Sequence, residues 1–222
     1  MSRLTLFIVV TGLGVTASGC GVLSEHSLSD PGAAKPEPVL YGSWYRESLK
    51  DKPARQRWSA FLHVGQAGKI KNDARDGNFE SSRAVGPAMA KDPKTFQGLM
   101  RAVWVQRSAE GAVHSYSWLF FPTRIGDHWY ANIPFYRDDG TREGYRIARF
   151  DLSGDKLALS LGIPEDQCKK AISNGKIRGN IPQKGDPRLT DSSENLRRFL
   201  KNGGDALLFP DEQKLVFRRL KR

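Results

Sequence analysis

The chain has few of the residues that announce a chemistry. Its 222 residues hold two cysteines, Cys20 and Cys168, so neither a paired CxxC zinc site nor a disulfide framework is available. There is no GxSxG nucleophile elbow, no HExxH metal helix and no Walker loop, which removes the sequence signatures of the serine hydrolases, the zincins and the P-loop nucleotide enzymes. Four histidines are present. His26 lies in a loop-like stretch, and His63, His114 and His128 sit on or beside strand patterns without ligand spacing, so no metal and no cofactor is expected. Asp138 and Asp139 are adjacent carboxylates, but they precede Gly140 in a turn pattern, where Asp is favoured for backbone reasons. No catalytic residue is assigned. No apolar run approaches the ~20 residues of a membrane helix.

What is present at the amino terminus is an address. Arg3 precedes an apolar and small-residue run, Leu4 to Val15, and Ala17-Ser18-Gly19 leads into Cys20. A basic start, a short apolar core and a small-residue cut site define a signal peptide. Gly12-Leu13-Gly14-Val15-Thr16-Ala17 matches the dinucleotide-loop glycine pattern by letters, but no strand precedes it and no helix follows. Ala17-Ser18-Gly19-Cys20 resembles the bacterial lipobox, with Ala17 where that pattern prefers Leu. The resemblance implies a diacylglyceryl lipid on Cys20, with Cys20 as the first mature residue. Gly21, being other than Asp, implies sorting to the outer membrane. Ordinary signal-peptide cleavage after Gly19 is the alternative. Residues 21 to 38 are rich in Ser, Pro, Gly and Ala and read as a flexible leash. The expected organisation is residues 1–19 as signal peptide, 20–38 as lipidated cysteine and linker, and 39–222 as one β domain.

Charge narrows the partners. Lys and Arg number 35 against 24 Asp and Glu, a net +11 at pH 7. Arg197, Arg198, Lys201, Lys214, Arg218, Arg219, Lys221 and Arg222 crowd the last stretch, against Asp205, Asp211 and Glu212. Behind a signal peptide the local polyanions are phospholipid and lipopolysaccharide phosphates and acidic polysaccharide rather than nucleic acid. Arg197, Arg198, Arg218 and Arg219 are the candidate basic patch. A solvated basic surface without a specific partner is the alternative.

From Leu40 onward apolar residues alternate with period two, the mark of half-buried strands. The pattern predicts strands over 57–64, 101–106, 114–121, 128–136, 144–150 and from Lys156 through Ile163, joined by turns at Gly126-Asp127, Asp138-Asp139-Gly140 and Ser153-Gly154-Asp155. Such short connections make an antiparallel meander. The period then changes: Pro164-Glu165-Asp166 opens a helix to Ser173 with Cys168 on its apolar side, and Asp191-Ser192-Ser193-Glu194 caps a second, Glu194 to Lys201, stopped at Asn202-Gly203-Gly204. A strand pair at 207–209 and 214–220 closes the chain, and 79–85 reads as a further strand. About eight to ten strands with two short late helices predict a mainly β, antiparallel barrel or half-barrel, with a two-sheet sandwich as the alternative.

Gly42-Ser43-Trp44 at the first strand resembles the G-x-W signature of lipocalins, whose Trp closes one barrel end beneath an Arg from the last strand. The resemblance implies that role for Arg218 or Arg219, stacked on the Trp44 indole. The chain departs from the family in having no Thr-Asp-Tyr motif and in placing two helices before the final strands. Large aromatic and small residues alternate along the strands, and Trp44, Trp118, Tyr116 and Trp129 are the candidate walls of an apolar or sugar-stacking cavity, unless they fill the core. The function expected is that of an outer-membrane-anchored, periplasm-facing lipoprotein acting as a non-enzymatic binding or structural module. The alternatives are an enzyme of envelope polymers or lipids using His114 or His128 with acids across strands, and a lipid or lipopolysaccharide carrier.

Overall fold

The computed structural model describes residues 21–46, 58–67, 98–108, 111–137 and 139–220. The signal run, Cys20 and the strand expected at 79–85 lie outside them. Alternation dictates the strands. After a two-residue β1 (Leu23–Ser24) come β2 (Gly42–Arg46), β3 (Trp58–Gln66), β4 (Met100–Ser108), β5 (Val113–Ile125), β6 (His128–Tyr136), β7 (Arg142–Ser153) and β8 (Lys156–Ser160). Helix α1 (Glu165–Ser173), the bridges β9 (Gly179–Asn180) and β10 (Arg188–Leu189), helices α2 (Ser193–Phe199) and α3 (Asp205–Leu208), and strand β11 (Leu215–Arg219) complete the chain.

Strands β2 to β8 form a continuous antiparallel meander, and β11 pairs with both β8 and β2. The eight strands β2, β3, β4, β5, β6, β7, β8 and β11 thereby close into an antiparallel barrel, not a sandwich. Closure leaves no unpaired edge along the ring. One face of every strand points inward. Trp44, Ala60, Leu62, Met100, Ala102, Trp104, Phe120, Ala131, Ala148, Phe150, Leu157, Leu159 and Phe217 fill the interior, with Trp58, Tyr116, Trp118 and Trp129 packed against them. All five tryptophans are inside.

A second core lies outside the ring. Ile125, Tyr130 and Ile147, on the outer face of β5 to β7, pack against Cys168, Ala171, Leu196, Leu200, Leu208 and Phe209 of the helical insertion. Ser192 caps α2 by accepting from the Asn195 amide at 3.3 Å. The neighbouring Asp191 accepts the Arg178 backbone N–H and the Asn195 side-chain amide, both at 2.8 Å. Burial alone would raise that carboxyl, but these donors hold it below its ordinary range.

Residues 207–209, expected as a strand, instead fall on and just after α3. The glycines explain how the chain turns there. Gly203 adopts φ 91°, open to glycine at little cost, and a Cβ on Gly204 would stand 2.4 Å from the Phe199 ring. The helix therefore stops where the sequence predicts and restarts at Asp205.

The leash is the largest correction. Residues 21–40 pack on the barrel instead of hanging free. β1 pairs with β7 and, in parallel, with β10, and Val22 and Leu28 are buried in the outer core. The Leu28 amide donates to the fully buried Asn132 at 2.7 Å, whose own amide donates to Thr123 at 2.8 Å and to the Phe121 carbonyl at 3.1 Å. Ser29 and Thr123 share a 2.6 Å hydrogen bond. A few apolar residues, Val22 and Leu28, suffice once a complementary wall exists, and composition alone does not register that. Residues 21–38 thus belong to the packed unit and are not a free linker.

Candidate functional site

Three arrangements of side chains carry the chemistry available. The first is the barrel floor. Trp44 on β2 is wholly buried, and Arg219 on β11 lies directly across the ladder from it. The guanidinium sits 4.4 Å from the indole centroid and donates to the Val39 carbonyl at 2.6 Å. The Trp44 indole N–H donates to the Leu40 carbonyl at 3.3 Å. A planar cation on a ring, tied to the short 3₁₀ turn Pro38–Leu40, plugs this end of the ring.

The second is the rest of the aromatic interior. Tyr116 and Trp118, two apart on β5, stack with centroids 6.5 Å apart and planes 8° from parallel. Trp118 meets Trp104 edge-on at 6.3 Å, and Trp104 meets Phe217 at 5.2 Å. Trp129 stacks on Phe150 at 6.2 Å and borders an open groove of about 330 Å³ shared with Ser29, Asp30, Pro122 and Arg124. Of the four cavity candidates, Trp44 is therefore sealed, Tyr116 and Trp118 are partners in one stack, and Trp129 alone edges this groove. Arg46 crosses the Trp58 ring at 4.1 Å, and burial lowers its pKa from the ordinary value.

The third is a polar network between β6, β7 and α3, of which sequence reading named His128 with an acid across strands but not Tyr130, Arg149 or Asp205. His128 Nδ1 lies 2.7 Å from Asp151 Oδ1. Arg149 Nη2 lies 3.1 Å from the same nitrogen, so Nδ1 donates to Asp151 in one tautomer and accepts from Arg149 in the other. His128 Nε2 faces Asp205 Oδ2 at 3.7 Å. Arg149 is buried and bridges the two acids, donating to Asp151 Oδ2 at 2.8 Å and to Asp205 Oδ2. The Tyr130 hydroxyl donates to Asp205 Oδ1 at 2.6 Å, and Lys214 Nζ approaches Asp151 at 3.8 Å. Burial, then the Asp205 bond and charge, push Tyr130 far above the ordinary phenol range, so it remains a donor. For Arg149, burial alone would act downward, and Asp151 and Asp205 outweigh it.

The His128 partner is Asp151, across the sheet on β7, and not the adjacent Asp127. Residues next to each other on a strand face opposite ways, whereas cross-strand neighbours meet. Nδ1 is held by Asp151, while Nε2 points toward Asp205 at 3.7 Å, beyond hydrogen-bond distance, on a side chain that is 37% exposed. Arg149 occupies the centre where a cation would sit. No cluster of three or more His, Cys, Asp or Glu among the described residues is placed to hold a metal. His114 is exposed at the start of β5, and His63 is bonded to Ser43 at 2.8 Å.

The basic patch does not form as one surface. Arg219 turns in toward Trp44, while Arg218, next to it on β11, faces outward. Arg197 and Arg198 are exposed on α2, and Arg198 pairs with Glu194 at 2.8 Å. Cys168 is fully buried in the outer core. Burial, then the nearby Glu165 charge, push its thiol up to about 12. It is expected to resist alkylation by iodoacetamide at pH 8 in the native protein and to react after unfolding in urea, with intact mass as the readout.

Together these features define an antiparallel β-barrel with a packed aromatic interior and an external coat of helices and amino-terminal chain. No protein-family model, curated protein or solved structure matches the chain.

Proposed function

We propose that this is a bacterial envelope lipoprotein in which a diacylglyceryl group on Cys20 holds the barrel at the periplasmic side of the outer membrane. The barrel serves there as a non-enzymatic binding or structural module. The observation that carries this reading is the sequence Ala17-Ser18-Gly19-Cys20 after a basic start and a short apolar run. The residues that follow Cys20 are packed, with the Gly21 amide donating to Asp186 at 2.5 Å and Val22 buried. The leash gives no support to an anchor, because residues 21–38 are part of the domain. A short connection instead places the lipid directly on the folded unit.

The pairing of His128 with Asp151 across strands is the one the enzyme alternative requires, since a carboxylate on one ring nitrogen also orients a catalytic imidazole. The non-enzymatic reading rests on the lack of a catalytic signature in the sequence. The stack of Arg219 on Trp44 supports the lipocalin-like part of the reading, in which Arg219 rather than Arg218 takes the closing role. The test is metabolic labelling. Radiolabelled palmitate is expected to enter the wild-type protein and to be absent from Cys20→Ala, whose mature mass then lacks the acyl increment. Labelling equal in both, or in neither, overturns the proposal.

A further inference from the structure

Among the described residues, the coat on the barrel is one-sided. Residues 21–40 and the helices cover the outer face from the lower half of β5 through β7, while the outer face of β11, β2, β3 and β4 carries exposed residues. One row runs across this wall in direct register: Lys156 of β8, Arg218 of β11, Tyr45 of β2, Phe61 of β3 and Val105 of β4. At the spacing of neighbouring strands it extends about 19 Å. Tyr45 and Phe61 touch, with centroids 4.9 Å apart, and Phe61 stacks on His63 at 6.4 Å. Phe61 is 38% and Val216 50% exposed. Arg107, Arg218 and Lys156 are exposed around them.

No Asp or Glu occurs in β2, β3, β4, β5, β6, β8 or β11. The strand carboxylate nearest this wall, Asp151 of β7, is taken up by His128, Arg149 and Lys214. Asp155 in the β7–β8 turn is the acid closest along the chain to Lys156. Among the described residues, the wall is thus a set of cations, without a strand carboxylate of its own, around exposed aromatic and aliphatic groups.

We propose that this wall docks on the surface of a bilayer rich in anionic phospholipid, with Arg107, Arg218 and Lys156 at the phosphates and Tyr45, Phe61 and Val216 in the headgroup layer. Cations and phosphates attract at long range, and short apolar groups are accommodated among the headgroups. The apolar part is what favours a bilayer over a nucleic acid or polysaccharide, for which Val216 offers nothing. This deepens the envelope reading and rests on it for the choice of membrane, but the surface itself is independent of the lipid on Cys20.

The experiment uses the chain from residue 20 onward with Cys20→Ala, so that no acyl group contributes, and phosphatidylglycerol-containing or pure phosphatidylcholine vesicles in co-sedimentation. The chain is expected to bind the anionic vesicles and to be released by salt. Each surface cation at an anionic leaflet contributes about fivefold in partition, so Arg107→Ala with Arg218→Ala is expected to lower it roughly 20-fold. Phe61→Ser lowers it further. The pair Arg197→Ala and Arg198→Ala on α2 serves as the control and is expected to change it by less than about twofold. Absence of binding to anionic vesicles, equal loss from the α2 pair, or a preference for heparin or an oligonucleotide over the vesicles each overturns the docking surface. Palmitate labelling is read separately, so either proposal can fail without the other.

Discussion

Asp205→Ala is expected to lower the free energy of unfolding by about 3–5 kcal/mol, because it strips the acceptor from two buried donors at once. Asp205 and Arg149 are 8% and 6% exposed. Without the carboxylate, the Arg149 guanidinium keeps Asp151 and its contact with His128 but no second anion, and the Tyr130 hydroxyl loses the partner it holds at 2.6 Å. The same deletion releases α3 from the barrel wall, since Asp205 is the first residue of that helix. Adding Arg149→Met should recover part of the loss, because an apolar pair of similar volume tolerates burial better than one stranded charge. The recovery is incomplete, since Asp151 then loses its guanidinium. Urea unfolding of the two single variants and the double variant, with unchanged m values, gives the coupling. Additive losses would show that Asp205 and Arg149 do not act as a unit.

Trp44→Ala is expected to cost about as much, roughly 3–5 kcal/mol, by leaving a cavity in the barrel floor. The indole is fully buried and meets Arg219 at 4.4 Å, so its removal also takes away the ring on which the guanidinium lies. Arg219→Ala is milder, about 1–2 kcal/mol, because it loses the stack and the bond to the Val39 carbonyl but opens no comparable void. A double-mutant cycle across Trp44 and Arg219 should return a coupling of about 0.5–2 kcal/mol. Coupling near zero would mean that the two groups share a place without sharing energy.

The barrel strands were legible because period-two alternation is a local signal. Strand β6 coincides with the expected 128–136, and Trp129, Ala131 and Ile133 face inward as the pattern requires. The capping residues before α2 and the glycines after it were equally readable. The site was not. His128, Arg149, Asp151 and Asp205 are separated by as many as 77 positions, and no pattern along the chain links them. The nearest available signal was that His128 and Asp151 sit on adjoining strands joined by short turns. That fixes which strands are neighbours, but not which residues stand opposite each other. Residues 21–38 were misread for a related reason: composition measures how much a segment can bury, and two aliphatic side chains with one buried amide partner, Asn132, were enough.

By itself the sequence determined the period-two alternation of the strands, where the chain turns, and the net positive charge. Those are properties of residues and their immediate neighbours. Only the tertiary structure decided that β11 returns to β2 and closes the ring, that Arg219 rather than Arg218 meets Trp44, that the amino-terminal chain wraps one side of the barrel, and that the opposite wall is left basic and aromatic. Alternation says that a face must be covered, but the choice of what covers it depends on contacts between residues far apart in the chain, and these are fixed only when the sheet closes.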